Sequence, residues 1–182
     1  MNEPLSKLGI RESSKAFIEL NNYLEKLKKN NKHAACIKHP RMPEKISESI
    51  VYHMIKDKRC NILGKKKFID IHFQKKASKY KGGTQQPTDI ILELNDGSEC
   101  LIEVKATQKK FTAISKKDSE ADYIIWIDFN QSFRSGIDDT IDYSILKVPH
   151  NMKPTKTTWG PYHKKYPSAE RRSFRNLDEI IS

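Results

Sequence analysis

Long apolar runs, paired cysteines and glycine-rich loops are what this sequence lacks. No stretch approaches the roughly 18–20 apolar residues needed to span a bilayer, so no membrane segment is expected. The N-terminal MNEPLSKLGIRESS has no apolar core of the kind a secretory signal carries. Cysteine is limited to Cys36, Cys60 and Cys100, an odd number without CxxC spacing, and the expectation is a reduced, cytoplasmic protein. Cys36 and His39, with His33 nearby, resemble half of a zinc site, but no second half with metal spacing follows. His53 reads as a structural or exposed histidine. Neither a Gly-rich phosphate loop nor a nucleotide fingerprint is present, so no nucleotide cofactor is expected. A Ser/His/Asp order is missing too, and kinase, ATPase and hydrolase-triad readings fall with it.

Positive charge is abundant instead. The 182 residues fit one domain over 1–182 and carry a net charge of +11. Residues 26–45, 65–81 and 150–175 each hold seven Lys/Arg against a single acid. Residues 118–142 reverse this, with seven acids and only Arg134. Such a bipolar surface attracts a polyanion on one side, although ordinary solubility charge produces similar counts. No basic amphipathic helix points to a membrane surface.

Apolar spacing sketches the elements. Phe17, Leu20, Tyr23, Leu24 and Leu27 recur at threes and fours, predicting an amphipathic helix over 12–30 with that stripe buried. A loop follows over 31–42. Pro43 then opens a second helix to about Lys56, with Ile46, Ile50, Val51, Met54 and Ile55 inward. Strands are expected at 60–63, 68–73, 88–94, 98–105 and 142–148. Residues 121–129 (ADYIIWIDF) read as a central strand buried on both faces. After that the chain reads as irregular, apart from a short final segment at LDEII. Helices preceding a mixed sheet give an α/β class, a central mixed β-sheet flanked by α-helices.

The segment PTDIILELNDGSECLIEVKAT (87–107) raises a sharper question. Asn95-Asp96-Gly97 suits a three-residue hairpin ending on a left-handed glycine. Leu94 then faces Ser98, and counting back puts Asp89 opposite Glu103. Alternation sets Ile91 and Lys105 on that same face, with Ile90, Leu92, Ile102 and Val104 turned to the core. Opposed residues have Cβ atoms only about 4.5–5.5 Å apart, so Asp89 and Glu103 repel unless a cation lies between them. A hard divalent ion such as magnesium suits two carboxylates, waters and phosphate oxygens.

Asp89, followed by Glu103-Val104-Lys105, resembles the PD-(D/E)XK nuclease superfamily, the first pair reading here as Pro87-Thr88-Asp89. The likeness covers about residues 43–130. It implies a restriction-endonuclease-like fold with Asp89, Glu103 and Lys105 as catalytic residues. The implied metal set is Asp89, Glu103, Val104 and Glu48, holding one or two Mg2+ per active site. Glu48 enters because SESIV (47–51) lies on the second helix, about 20° from Ile55 on the wheel. The closing SAERRSFRNLDEII is similar to the Arg-rich, Ser-Phe end of some small type II restriction endonucleases.

Double-stranded DNA is the partner this implies. Thr107, Gln108, Lys109 and Lys110 leave the active strand near the expected scissile phosphate, where lysines would meet the backbone. Gln85 and Gln86 are candidates for base reading. So is an aromatic-basic loop with Trp159, Tyr162, Lys164, Lys165, Arg171 and Arg172 in a DNA-contacting region over about 150–175. Packing of that loop onto the domain accounts for the same aromatics. The expectation is a homodimeric, Mg2+-dependent type II restriction enzyme leaving 5′-phosphate ends. A cognate DNA methyltransferase would be its functional, not physical, partner. A Holliday-junction resolvase, a DNA-repair nuclease and a non-catalytic DNA-binding protein are the alternatives.

Overall fold

The hairpin turn forms as its sequence predicts. In the computed structural model Leu94 N–H donates to the Ser98 carbonyl at 2.9 Å, and Gly97 N–H to the Leu94 carbonyl at 2.9 Å. Gly97 takes φ +76°, the left-handed conformation that closes a three-residue loop. Asp96 Oδ1 accepts from Ser98 N–H at 2.9 Å and fixes the turn. The structure describes residues 3–38, 40, 43–59, 62, 67–75, 88–107, 116–130, 133, 140–149 and 170–181.

Among the described residues six strands make one mixed sheet in sequence order: β1 (Phe68–Lys75), β2 (Thr88–Leu94), β3 (Glu99–Thr107), β4 (Tyr123–Asp128), β5 (Ile141–Lys147) and β6 (Glu170–Phe174). β3 and β4 are parallel and every other pair is antiparallel. The helices among the described residues are α1 (Lys7–Asn30), α2 (Glu44–Lys56), α3 (Lys116–Glu120) and α4 (Leu177–Ile181). The class is α/β, a six-stranded mixed sheet flanked by helices. Among the described residues no helix is long and apolar enough to cross a membrane.

One large core joins α1, α2 and α4 to a single sheet face, through Ile50, Met54, Ile90, Ile102, Ile125, Ile127 and Tyr143. A smaller cluster of Ile91, Leu101 and Ala121 fills part of the opposite face. β4 carries Ile125 and Ile127 into the larger core, and Ile124, Ile125, Trp126 and Ile127 are all buried, as expected for a central strand. In α2 the five expected inward residues are all buried, together with Ser47, Glu48 and Ser49. His53 is structural, its Nε2 lying 2.8 Å from the Leu5 carbonyl. Among the described residues Cys36 is exposed and Cys100 is buried, with no disulfide between them.

Three expectations need correction. α1 begins at Lys7, capped by Ser6, whose Oγ accepts from Gly9 N–H at 3.0 Å. Its buried stripe is Ile10, Ser14, Phe17 and Asn21, while Leu20 and Tyr23 are exposed. The seam is therefore rotated from the leucine-rich side toward small and polar residues, and Asn21 Nδ2 donates to the Phe133 carbonyl at 3.4 Å. The loop at 31–42 contains a 3₁₀ turn over Lys32–Cys36. β6 and α3 were not expected, since ERRSF lacks apolar alternation and KKDSE is barely one helical turn. Of the strand expected at 60–63, only Ile62 lies within the described residues, in a bend.

Gly97 has no atom within 4 Å of where a Cβ would stand, so a side chain there meets only backbone strain. Gly97→Ala should cost about 1 kcal/mol and Gly97→Asn less, read as shifts of the urea midpoint at constant slope.

Candidate active site where two strands part

β2 and β3 begin as partners and end with different ones. Their ladder runs from Glu93↔Glu99 to Ile90↔Ile102. Beyond it β2 stays with β1 as far as Thr88↔Lys75, and β3 stays with β4 as far as Thr107↔Asp128. The count that pairs Leu94 with Ser98 is preserved, but the step that would align Asp89 with Glu103 falls one residue past the last paired one. There the Asp89 carboxylate crosses the gap, and its Oδ2 accepts from Val104 N–H at 2.8 Å. Because residues 94 and 98 are a hydrogen-bonded pair, alternation assigns that N–H to the Thr88 carbonyl. A side chain has taken the place of a ladder bond.

Ile90, Ile102 and Val104 pack in the helix-side core, so alternation turns Asp89, Glu103 and Lys105 to the other face together. Asp89 is 9% exposed and Glu103 1%. Two buried carboxylates on adjacent strands are costly unless positive charge or hydrogen bonds compensate them. Val104 offers its N–H to Asp89, and its carbonyl lies on the same side of the strand, toward the opening. These groups fit a hard cation that takes two carboxylates and leaves its other positions to water and phosphate oxygens.

Lys105 is held by a residue that sequence reasoning passed over. Its Nζ lies 2.7 Å from Asp118 Oδ1, and Asp118 is fully buried while the lysine side chain is 24% exposed. Asp118 comes from α3, on the connection between β3 and β4. In the sequence it opens the acidic segment 118–142, which read as a counter-charge surface, and no local pattern marks it as internal. Trp126 stands beside Lys105 in register and is buried, giving the lysine an apolar neighbour. Lower down β4, burial above all, with Cys100 and Asp122 adding, pushes the Tyr123 hydroxyl above its ordinary value. That phenol stays protonated at neutral pH.

Glu48 is buried on α2, against the helix-side core, and its Oε2 accepts from Gln74 Nε2 at 2.6 Å. Among the described residues, no third Asp, Glu, His or Cys joins Asp89 and Glu103 in a cluster with all ligand atoms within 4.8 Å of one another. Thr107 ends β3 half-buried, and its carbonyl accepts from Phe129 N–H at 2.8 Å. Arg172 pairs with Tyr143 on the helix side, and its Nη1 donates to the Arg59 carbonyl at 3.1 Å. It stands apart from the Asp89–Glu103–Lys105 face. Gln85, Gln86, Gln108, Lys109, Lys110, Trp159, Tyr162, Lys164 and Lys165 lie outside the described residues, as does the Arg171 side chain.

No protein-family model, no curated protein and no solved structure matches the chain.

The Lys105–Asp118 pair is testable by itself. Lys105→Ala leaves a buried carboxylate without its cation and should lower unfolding stability by about 2–3 kcal/mol. Adding Asp118→Asn should recover at least half of that loss in urea denaturation, whereas strictly additive losses would show that the two are not coupled.

Proposed function

We propose that this chain is a magnesium-dependent endonuclease of the PD-(D/E)XK superfamily, acting on double-stranded DNA as a type II restriction enzyme. The observation that carries the reading is a pair of carboxylates, Asp89 and Glu103, buried on one sheet face where β2 and β3 separate. Lys105 follows on the same face. The order α2-β1-β2-β3-α3-β4, with β3 and β4 parallel, is compatible with a restriction-endonuclease-like fold. The net charge of +11 suits a polyanionic substrate.

Asp89 and Glu103 would hold the metal, with the Val104 carbonyl as a neutral donor. When bound, magnesium supplies Lewis acidity and a water of lowered pKa. The chain's own part is orientation and charge. Val104 N–H fixes the Asp89 carboxylate, and Asp118 fixes where the Lys105 ammonium stands. From there Lys105 can orient the incoming water and stabilise charge growing on the phosphate oxygens. Attack by water on phosphorus breaks the P–O3′ bond and leaves a 5′-phosphate and a 3′-hydroxyl. Reading a palindromic site with both strands cut calls for a homodimer, because the two-fold symmetry of the DNA is then matched by the protein.

Digestion of unmethylated phage DNA tests this. Discrete fragments are expected with magnesium and none with EDTA, and Asp89→Asn, Glu103→Gln and Lys105→Met should each cut at least about 100-fold more slowly while still binding DNA. A smear, or cutting only of four-way junctions or mismatches, would replace the restriction reading with another nuclease of the superfamily. Salt-sensitive binding without cleavage of any substrate would leave a non-catalytic DNA-binding protein.

A further inference from the structure

A second group of potential ligands lies on the same sheet face and owes its existence to an irregularity in β1. Phe68 pairs with Leu94, yet Asp70 pairs with Glu93, so Ile69 is an extra residue and stands 64% exposed. In an unbroken register Asp70 would meet Leu92 and face the helices. The bulge lets Phe68, Ile71 and Phe73 all reach the helix-side core, and it turns Asp70 and His72 to the opposite face beside Glu93.

Three donor atoms converge there. His72 Nε2 lies 3.7 Å from Asp70 Oδ2 and 3.4 Å from Glu93 Oε2. All three ligand atoms fall within 4.8 Å of one another. The remaining oxygen of Asp70 is already engaged, Oδ1 accepting from Ile71 N–H at 2.7 Å, which aims Oδ2 at the histidine. The nitrogen–oxygen distances are long for charge-assisted hydrogen bonds, which run at about 2.7–2.9 Å. They are close to the edge of a tetrahedron around an ion with ligands at about 2.0–2.1 Å, which is about 3.3–3.5 Å. Glu99 stands opposite Glu93 on the next strand, so Asp70, Glu93 and Glu99 form a row of acids across β1, β2 and β3. Like charges directly opposed across strands destabilise a sheet, and a cation in the row reverses that sign.

We propose that Asp70, His72 and Glu93 bind a divalent cation of the borderline class, zinc being the best fit. One imidazole with two carboxylates suits zinc better than magnesium, which prefers oxygen alone. Three protein ligands leave a fourth position to water. The ion ties the bulged edge strand to β2 and offsets the acidic row. Glu93 is four residues from Asp89 along β2, about 13 Å at the strand rise, so this centre is separate from the proposed nuclease site and does not depend on it.

The test is calorimetric titration of zinc into the full chain, freed of metal by a chelator, beside His72→Gln, Glu93→Gln and Asp89→Asn. One zinc per chain should bind the parent at this site. His72→Gln and Glu93→Gln should each weaken that binding by about 100-fold or more, while Asp89→Asn leaves it unchanged and millimolar magnesium does not displace it. His72 and Glu93 are partly exposed, so both variants should keep the parent's circular dichroism. As a readout free of substitution, the ring proton signals of His72 should shift on adding one equivalent of zinc. Zinc affinity unchanged in both variants, an unmoved His72 signal, or no zinc binding by the parent would each overturn the proposal.

Discussion

Two carboxylates buried on neighbouring strands, at the point where those strands part, are the constraint on which the rest of the structure depends. Asp89 and Glu103 could not both remain in a regular ladder without opposing each other directly at close range. The sheet instead releases the ladder after Ile90↔Ile102 and lets the Asp89 carboxylate stand in for a backbone acceptor at Val104. β2 leaves with β1 and β3 leaves with β4, so an opening lined by charge forms inside a continuous sheet. Under the proposed reading, what would be a fault in a purely structural sheet is the place where a cation and a phosphate would enter.

The scaffold around that opening is arranged to hold it rigid. The helix-side core grips the even-numbered residues of β2 and β3, which leaves the odd-numbered ones committed to the other face. β4 is buried on both sides and anchors β3 beyond the point where β2 has gone. From the connection between them α3 contributes Asp118, fully buried against Lys105. In the proposed nuclease, a lysine tethered by a buried carboxylate would lose little conformational freedom when a substrate phosphate arrives, and pre-organised charge is what stabilises a transition state.

The legible parts were those set by local rules. Turn chemistry at Asn95-Asp96-Gly97 and strict alternation in β2 and β3 were enough to place Asp89, Glu103 and Lys105 on one face. The continuous apolar run of β4 announced its burial, and the Ile/Val/Met spacing of α2 announced its inward side. The α1 seam was not legible, because hydropathy favoured Leu20 and Tyr23 while the folded seam buries Ser14 and Asn21. β6 was hidden as a charged edge strand, the composition by which sheet edges resist unwanted pairing. Asp118 and the Asp70–His72–Glu93 group were hidden for a deeper reason. Each exists only through tertiary register, one across a crossover and the other across a bulge, and neither leaves a mark in spacing along the chain.

The most direct test of the central claim is whether the opening between β2 and β3 takes up a hard divalent ion. Substoichiometric manganese, added to the isotopically labelled chain carrying Glu93→Gln, would reveal the site by selective broadening of nearby amide signals. The account predicts broadening centred on Asp89, Glu103 and Val104, reversed by excess magnesium and abolished by Asp89→Asn. Signals from these residues that stay sharp at saturating manganese would contradict it, and the two buried carboxylates would then need another explanation.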